Sequence, residues 1–488
     1  MIPTIMEAVA QLSDGTTTSR ALTEACLEQA EKRRNLGAFL YLDAKAARQA
    51  ADQSDARRRA GTTLGPLDGI PVAHKDMLCT QDMPTTAASR ILEGYVPPYD
   101  ATVVARWRGA GTVLLGKLNQ DEFGMGSSTE NSAFLLARNP WDGERTPGGS
   151  SGGSAVAVST GMCLGATGTD TGGSIRQPAA FTGIVGVKPT YGRVSRFGVM
   201  AYASSLDQVG VLARTVEDAA TLLSITWGHD PQDATSVAVP PPDLGAALNT
   251  DPRGVRVGIP LEFLDTPGMD AEVGQAFRDA CGQLERLGMG VREVRLPHTR
   301  YALPAYYVIA PAECSANLAR YDGIRYGPRR GNGKDLRSTY QETRGQLLGP
   351  EVKRRVVLGT FVLSSGYHDA YYGQAQRARA WIQEDFRKVF EEVDVVVSPT
   401  SPTPAFPLAQ KVRDPVQMYL SDVFTLSCNL AGLPGMSLPC GFSAGPKPLP
   451  IGLQLMAKPL DEEGMFRVAH AYQQATDWHR HQPPGVAS

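Results

Sequence analysis

Short apolar runs alternate with helical stretches through most of this chain, and that alternation limits the fold more than any other feature. Residues 39–42, 70–76, 112–116, 163–168, 184–187 and 393–398 read as strands, as do the runs VRVGIP and VREVRLP. Residues 20–32, with Leu22, Cys26 and Ala30 on one face, read as a helix. So do 44–60, the run TVVARWRGAG with Asp100 as its cap, 151–160, the run after Ser174, 270–287 and 461–475. Strand and helix in turn predict an α/β layered fold around one large sheet. At 488 residues the chain has the length of two or three average domains or of one large one. The loop-rich and proline-rich segment 229–253 is the best internal boundary.

Several functional classes are disfavoured. The net charge is −2, so the chain lacks the basic surplus that holds a long nucleic acid. No uncharged apolar run reaches the ~18 residues of a membrane span. The first residues, MIPTIMEAVAQLSDG, lack the basic start and apolar core of a secretory signal. The seven cysteines are scattered and none form CxxC, which predicts neither a disulfide framework nor a zinc site and fits a reducing cytoplasm.

Chemistry is concentrated in 147–178, PGGSSGGSAVAVSTGMCLGATGTDTGGSIRQP. Glycine gives up packing and costs backbone entropy, so two glycine–serine clusters mark a place where main-chain amides must reach a reacting group. Around Ser150 the sequence matches GxSxG, the hydrolase nucleophile elbow, but that elbow follows a strand and here the loop NPWDGERTP precedes it. The run from Gly111 to Lys117 is a near miss to a phosphate-binding loop; it ends in Leu118 rather than Ser or Thr. A histidine base remains open among seven histidines, most of them in loops or near the C-terminus. Lys75 is the other base. On a surface it would be plain solvated charge, but in the apolar run IPVAHKDML desolvation would lower its pKa and let it activate a serine.

These motifs resemble the amidase signature family: PVAHKDML around Lys75, PGGSSGGSAVAV around Ser150 and GTDTGGSIRQPA around Ser174. The spacings, 75 residues from Lys75 to Ser150 and 24 from Ser150 to Ser174, are also those of the family. The resemblance implies the amidase signature fold, one large mixed β-sheet covered by helices on both faces, as a single domain over 1–488. It implies Ser174 as nucleophile, Lys75 as base and Ser150 as the bridge between them. A hydroxyl both donates and accepts, so Ser150 can relay a proton from Ser174 to neutral Lys75. With Ser174 at the start of a helix, the amides of Thr171, Gly172, Gly173 and Ser174 are expected to converge on an oxyanion. Asp170 either fixes this loop through its amides or is an ordinary turn aspartate.

Four further segments resemble the branch of the family that serves tRNA-dependent amidotransferases: DEFGMGSSTENSAF (121–134), 306–327, 351–372 and MYLSDVFTLSCNLAGLPG (418–435). With them the resemblance covers nearly the whole chain. It implies a cytoplasmic glutaminase working in protein biosynthesis, as part of a glutamine-hydrolysing carbon–nitrogen ligase. The partners implied are the B and C subunits of a heterotrimer. ATP and magnesium are expected in the partner, not in this chain, and misacylated tRNA is reached through the partner. Glu-tRNA(Gln) and Asp-tRNA(Asn) both remain open as acceptors. For the glutamine zwitterion the resemblance implies Arg355 at the carboxylate, Asp422 at the ammonium and Tyr306 as a polar wall, with Arg354 competing with Arg355. Taken alone, an arginine in EVKRR is a solvated helix face, and SD before an apolar run is a cap. A stand-alone amidase of the same fold and a catalytically silent scaffold are the alternatives; intact Lys75, Ser150 and Ser174 weigh against the second.

Overall fold

A computed structural model describes residues 2–264, 266–331, 335–412 and 414–486. Its centre is one sheet of eleven strands. In chain order these are β1 (Phe39–Leu42), β2 (Pro71–Lys75), β3 (Val113–Leu118), β4 (Gly165–Asp170), β5 (Val185–Lys188) and β6 (Gln208–Ala213). The remainder are β7 (Arg256–Pro260), β8 (Gly290–Val294), β9 (Val395–Pro399), β10 (Gly435–Phe442) and β11 (Pro450–Ala457). They lie side by side in the order β1-β3-β2-β4-β6-β5-β10-β11-β9-β7-β8. The sheet is mixed. β2 runs parallel to β3 and β4, and β7 parallel to β8 and β9, while the middle of the sheet from β4 to β9 is antiparallel.

β2, β4, β5, β6, β9 and β11 are buried along their whole length, as expected of strands covered on both faces. β4 shows what that cover demands. Its sequence, GATGTD, has no large side chain. A Cβ on Gly165 would come within 2.5 Å of Leu222 Cδ1, and one on Gly168 within 2.8 Å of Ile175 Cγ1 and 3.1 Å of Ser151 Oγ. Small residues here let the segments that carry Ser151 and Ile175 lie directly on the strand.

The predicted α/β sheet is present, with differences in detail. The helix predicted to be capped by Asp100 begins at Thr102 and has no side-chain cap. The Asp100 carboxylate instead accepts from the Gln81 amide at 2.7 Å and pairs with Arg108. β6, β10 and β11 have no counterpart in the sequence pattern. β10 contains Pro439, which argues against a central strand, and the ladder shifts register between Pro439 and Gly441 to admit it. Within 229–253 lies a short helix, Leu244–Leu248, after which β7 joins the sheet through β9.

Parallel pairing positions the site. Val72 is level with Gly165, so β2 and β4 end at one rim of the sheet, with Lys75 and Asp170 as their last residues. Crevices beyond the carboxyl ends of parallel strands are where α/β sheets commonly hold ligands.

Candidate active site

β2 alternates its side chains, so His74 and Lys75 point to opposite faces. His74 turns to Trp107, with ring centroids 5.1 Å apart, and its Nδ1 lies 3.2 Å from Thr167 Oγ1. Burial, with Lys117 and Arg108 nearby, pushes its pKa down to about 3, so the ring stays neutral. Lys75 turns to the glycine–serine segments. Its Nζ lies 2.7 Å from Ser150 Oγ, 2.8 Å from Ser151 Oγ and 2.8 Å from Thr169 Oγ1. Lys75 is 0% exposed, and that burial pulls its pKa down to about 7 against the pull of Asp121, Asp170 and Asp207. A lysine with that pKa is available as a neutral amine near pH 7.

The two glycine–serine clusters meet at the rim. The Ser151 amide donates to the Ser174 carbonyl at 3.1 Å. Gln177 Oε1 accepts the Gly149 amide at 2.9 Å, ahead of a cis bond between Gly149 and Ser150. Ser150 is buried and Ser174 is partly exposed, so Ser174 is the serine that a molecule from solvent meets. Among the described residues the Ser174 hydroxyl makes no hydrogen bond, and the expected contact from it to Ser150 is open. Ser174 also precedes the helix rather than starting it; the helix is Arg176–Thr182, with Ile175 at its cap position.

The turn 171–174 is held from behind. Asp170 Oδ1 accepts the Gly173 amide at 2.8 Å and Oδ2 the Ile175 amide at 3.2 Å, so the loop-fixing alternative is the one realised. One of the four amides expected at the oxyanion already has a partner. The Gly173 amide is committed to Asp170, while those of Thr171, Gly172 and Ser174 donate to no protein group among the described residues. Thr171 Oγ1 donates to Asp207 at 2.7 Å, and Thr425 Oγ1 donates to the Gly172 carbonyl at 2.6 Å. A Cβ on Gly173 would come within 2.3 Å of Thr425 Oγ1, and one on Gly172 within 2.8 Å of the Tyr306 ring. These two glycines therefore also permit close packing, which the amide argument alone does not require.

Arg176, absent from the expected site, anchors this turn. Its guanidinium is fully buried against Asp170, with Nε and Nη2 each 3.0 Å from the carboxylate. Nη1 donates to the Thr425 carbonyl at 3.1 Å and to Gln454 Oε1 at 2.6 Å, and Nη2 also donates to Asn429. Burial raises the Asp170 pKa, but the Arg176 charge outweighs it and holds the carboxyl far below its usual range. Its position in GGSIRQP, two residues after Ser174, was the available signal.

Arg355 lies on the helix Pro350–Val362, which crosses the helix Ala302–Asn317 so closely that a Cβ on Gly359 would lie 1.9 Å from the Pro311 carbonyl. That crossing brings Arg355 to Tyr307, and Tyr202 and Tyr419 reach it from other elements. Its guanidinium carbon lies 5.5 Å from the Tyr202 ring, 5.3 Å from Tyr307 and 5.5 Å from Tyr419. Nη1 donates to the Tyr202 hydroxyl at 2.7 Å and Nε to Glu351 at 2.8 Å. Arg354 pairs with the same Glu351 from outside, its side chain 46% exposed against 4% for Arg355. Tyr306 is buried between Gly172 and Tyr307. Asp422 accepts from Ser127 Oγ at 2.6 Å, and Gln177 Nε2 approaches its other oxygen at 3.5 Å. Burial lifts its pKa to about 7, against the pull of Ser127, Arg355 and Lys411.

Lys75, Ser150 and the turn 171–174 thus share one rim. Tyr306 joins that rim to the surroundings of Arg355, and Gln177 joins it to Asp422. Chemically, the set offers an amine that loses its proton near pH 7, a buried hydroxyl, an accessible hydroxyl and free amides, flanked by one buried cation and one buried carboxyl. Sequence reasoning missed Ser151, Thr169, Gln177, Ser127, Glu351, Tyr202, Tyr307 and Tyr419. The first three stand inside or beside the motifs; the tyrosines come from separate elements with no common pattern. The phosphate-loop-like run is used differently: Lys117 is buried in β3 and donates to the Leu78 carbonyl at 2.7 Å and to Thr85 Oγ1 at 2.6 Å. Among the described residues no cluster of three or more His, Cys, Asp or Glu side chains is arranged to hold a metal ion.

The pattern of the Amidase family matches residues 21–466. Over 481 residues the chain is 56% identical to the A subunit of glutamyl-tRNA(Gln) amidotransferase of Chloroflexus aggregans, covering 98% of each chain. The crystal structure of the A subunit of glutamyl-tRNA(Gln) amidotransferase from Thermotoga maritima superimposes with a TM-score of 0.79 at 41% identity, covering 97% of this chain and 94% of that one. The peptide amidase of Stenotrophomonas maltophilia superimposes with a TM-score of 0.83 at 32% identity, covering 99% of each.

Proposed function

The chain belongs to the amidase family, and from that premise we propose that it is the glutaminase subunit of a tRNA-dependent amidotransferase. It hydrolyses the side-chain amide of glutamine and supplies ammonia for amidation of Glu-tRNA(Gln) or Asp-tRNA(Asn). Its partners are the B and C subunits of a cytoplasmic heterotrimer. The acceptor tRNA, ATP and magnesium are met by the partner.

Ser174 Oγ attacks the glutamine Cδ carbonyl carbon as its proton passes to Ser150 and the Ser150 proton to Lys75. The carbonyl oxygen, now negative, lies against the free amides of the turn 171–174. The tetrahedral intermediate collapses; the C–N bond breaks, the proton held by Lys75 returns through Ser150 to the nitrogen, and ammonia leaves. Water, activated by the same relay, then hydrolyses the glutamyl ester of Ser174 to glutamate.

The observation that carries glutamine as the substrate is a buried cation and a buried carboxyl beside one turn, Arg355 within its tyrosines and Asp422 on Ser127. A free amino acid presents both charges; a peptide or aryl amide does not. Arg355→Ala is expected to raise the glutamine KM by about 100-fold, an interaction worth ~3 kcal/mol as for a hydrogen bond to a charged group. Arg354→Ala, on the exposed side of Glu351, should change it less than about threefold. Equal effects in steady-state glutaminase assays would show that Arg355 does not hold the carboxylate.

The function is tested on the assembled complex. Lys75→Ala is expected to abolish glutamine-dependent amidation and to leave ammonia-dependent amidation intact. If the chain alone turns over varied amides with no preference for glutamine, it is a stand-alone amidase instead.

A further inference from the structure

Lys75 Nζ has three hydroxyl neighbours at almost equal distance: Ser150 at 2.7 Å, Ser151 at 2.8 Å and Thr169 at 2.8 Å. An ammonium donates three N–H bonds, whereas a neutral amine has two N–H donors and one lone pair. The hydroxyl protons decide which neighbour the lone pair faces. Ser151 Oγ donates its proton to the Thr169 carbonyl at 3.2 Å. Thr169 Oγ1 donates to Met77 Sδ at 3.6 Å. Both hydroxyls therefore keep only lone pairs for Lys75. Ser150 Oγ, among the described residues, bonds to nothing but Lys75, and its proton is the one free to meet the amine.

We infer that Ser151 and Thr169 are positioning residues that hold both N–H groups of neutral Lys75 and so aim its lone pair at the Ser150 hydroxyl. The inference rests on Lys75 being the base. The relay then runs in one direction: the Ser150 proton moves to Lys75 Nζ, the Ser150 oxygen takes the Ser174 proton, and the freed electron pair of Ser174 forms the bond to carbon. Ser151 and Thr169 neither gain nor lose a proton. When the ammonium forms, the same two oxygens accept charge-assisted bonds from it.

The test is the pH dependence of kcat/KM for glutamine hydrolysis by the assembled complex carrying Ser151→Ala, Thr169→Val or Thr169→Ser. The carboxylates that act on Lys75 are Asp121 from the loop after β3, Asp170 at the end of β4 and Asp207 before β6, and all three are kept in these variants. Ser151→Ala and Thr169→Val are each expected to lower the maximum by about 10- to 100-fold, as for impaired general-base catalysis. Each should also move the acidic limb to lower pH, because the ammonium loses an acceptor that stabilised it more than the amine. Thr169→Ser restores both values and carries the test, with Ser151→Ala, if Thr169→Val fails to fold. A lowered maximum with an unmoved limb, or wild-type profiles in Ser151→Ala and Thr169→Val, overturns the inference. Glutaminase activity surviving in Lys75→Ala overturns instead the assignment of the base.

Discussion

Ser174→Ala in the assembled complex is expected to lower glutamine hydrolysis by on the order of 10⁴-fold or more, the scale seen when a nucleophile that works as part of a unit is removed. Ammonia-dependent amidation should persist, since the turn 171–174 is fixed by groups other than the Ser174 side chain. Asp170 holds Gly173 and Ile175, Thr425 holds the Gly172 carbonyl, and the Ser174 hydroxyl bonds to nothing among the described residues. The assay pairs ammonia release with a covalent glutamine analogue and mass spectrometry. A wild-type adduct on Ser150 rather than Ser174 would restore the nucleophile-elbow reading of GxSxG. No adduct on either serine would make the chain a silent scaffold.

The largest effect on stability is expected at Arg176. Its five N–H groups all have acceptors: two on Asp170, one each on Thr425, Gln454 and Asn429. Arg176→Met keeps the volume and strands the Asp170 carboxylate at full burial with only the Gly173 and Ile175 amides and Asn429. Breaking a buried pair from one side costs about 3–5 kcal/mol, because the remaining charge is uncompensated. Chemical denaturation at pH 7 measures it, and a loss below about 1 kcal/mol would show that the pair is not needed. The pH dependence has a definite sign. The folded Asp170 pKa is depressed, so its contribution is complete above the ordinary carboxylate range and is lost only as pH falls below that range. The wild-type advantage over Arg176→Met should therefore shrink as pH falls, starting where burial lets the stranded Asp170 carboxylate of the variant take up a proton.

The sequence carries the sheet in its short apolar runs, and β2, β4 and β9 stand close to where those runs lie. β10 was hidden for a physical reason: Pro439 breaks the local signal, and only pairing with distant strands supplies the bonds that make the segment a strand. In the site, Lys75 and the two serine clusters were readable because each occupies a compact motif. The fate of the Gly173 amide was not, since it depends on which way one carboxylate of the same turn points. The tyrosines around Arg355 come from 202, 307 and 419; the close helix crossing at Gly359 brings in Tyr307, and Tyr202 and Tyr419 arrive from separate elements. Of the paired arginines, only three-dimensional burial separates the inner from the outer.

The base and the turn of the nucleophile stand at the ends of two adjoining strands, while Arg355, Tyr306, Tyr307, Tyr419 and Asp422 stand on helical segments outside the sheet. On the proposed roles, bond cleavage and choice of amide therefore rest on separate parts of the chain. On those roles, substitutions in the peripheral helices change which amide is taken and leave the cleavage machinery at the rim of the sheet in place.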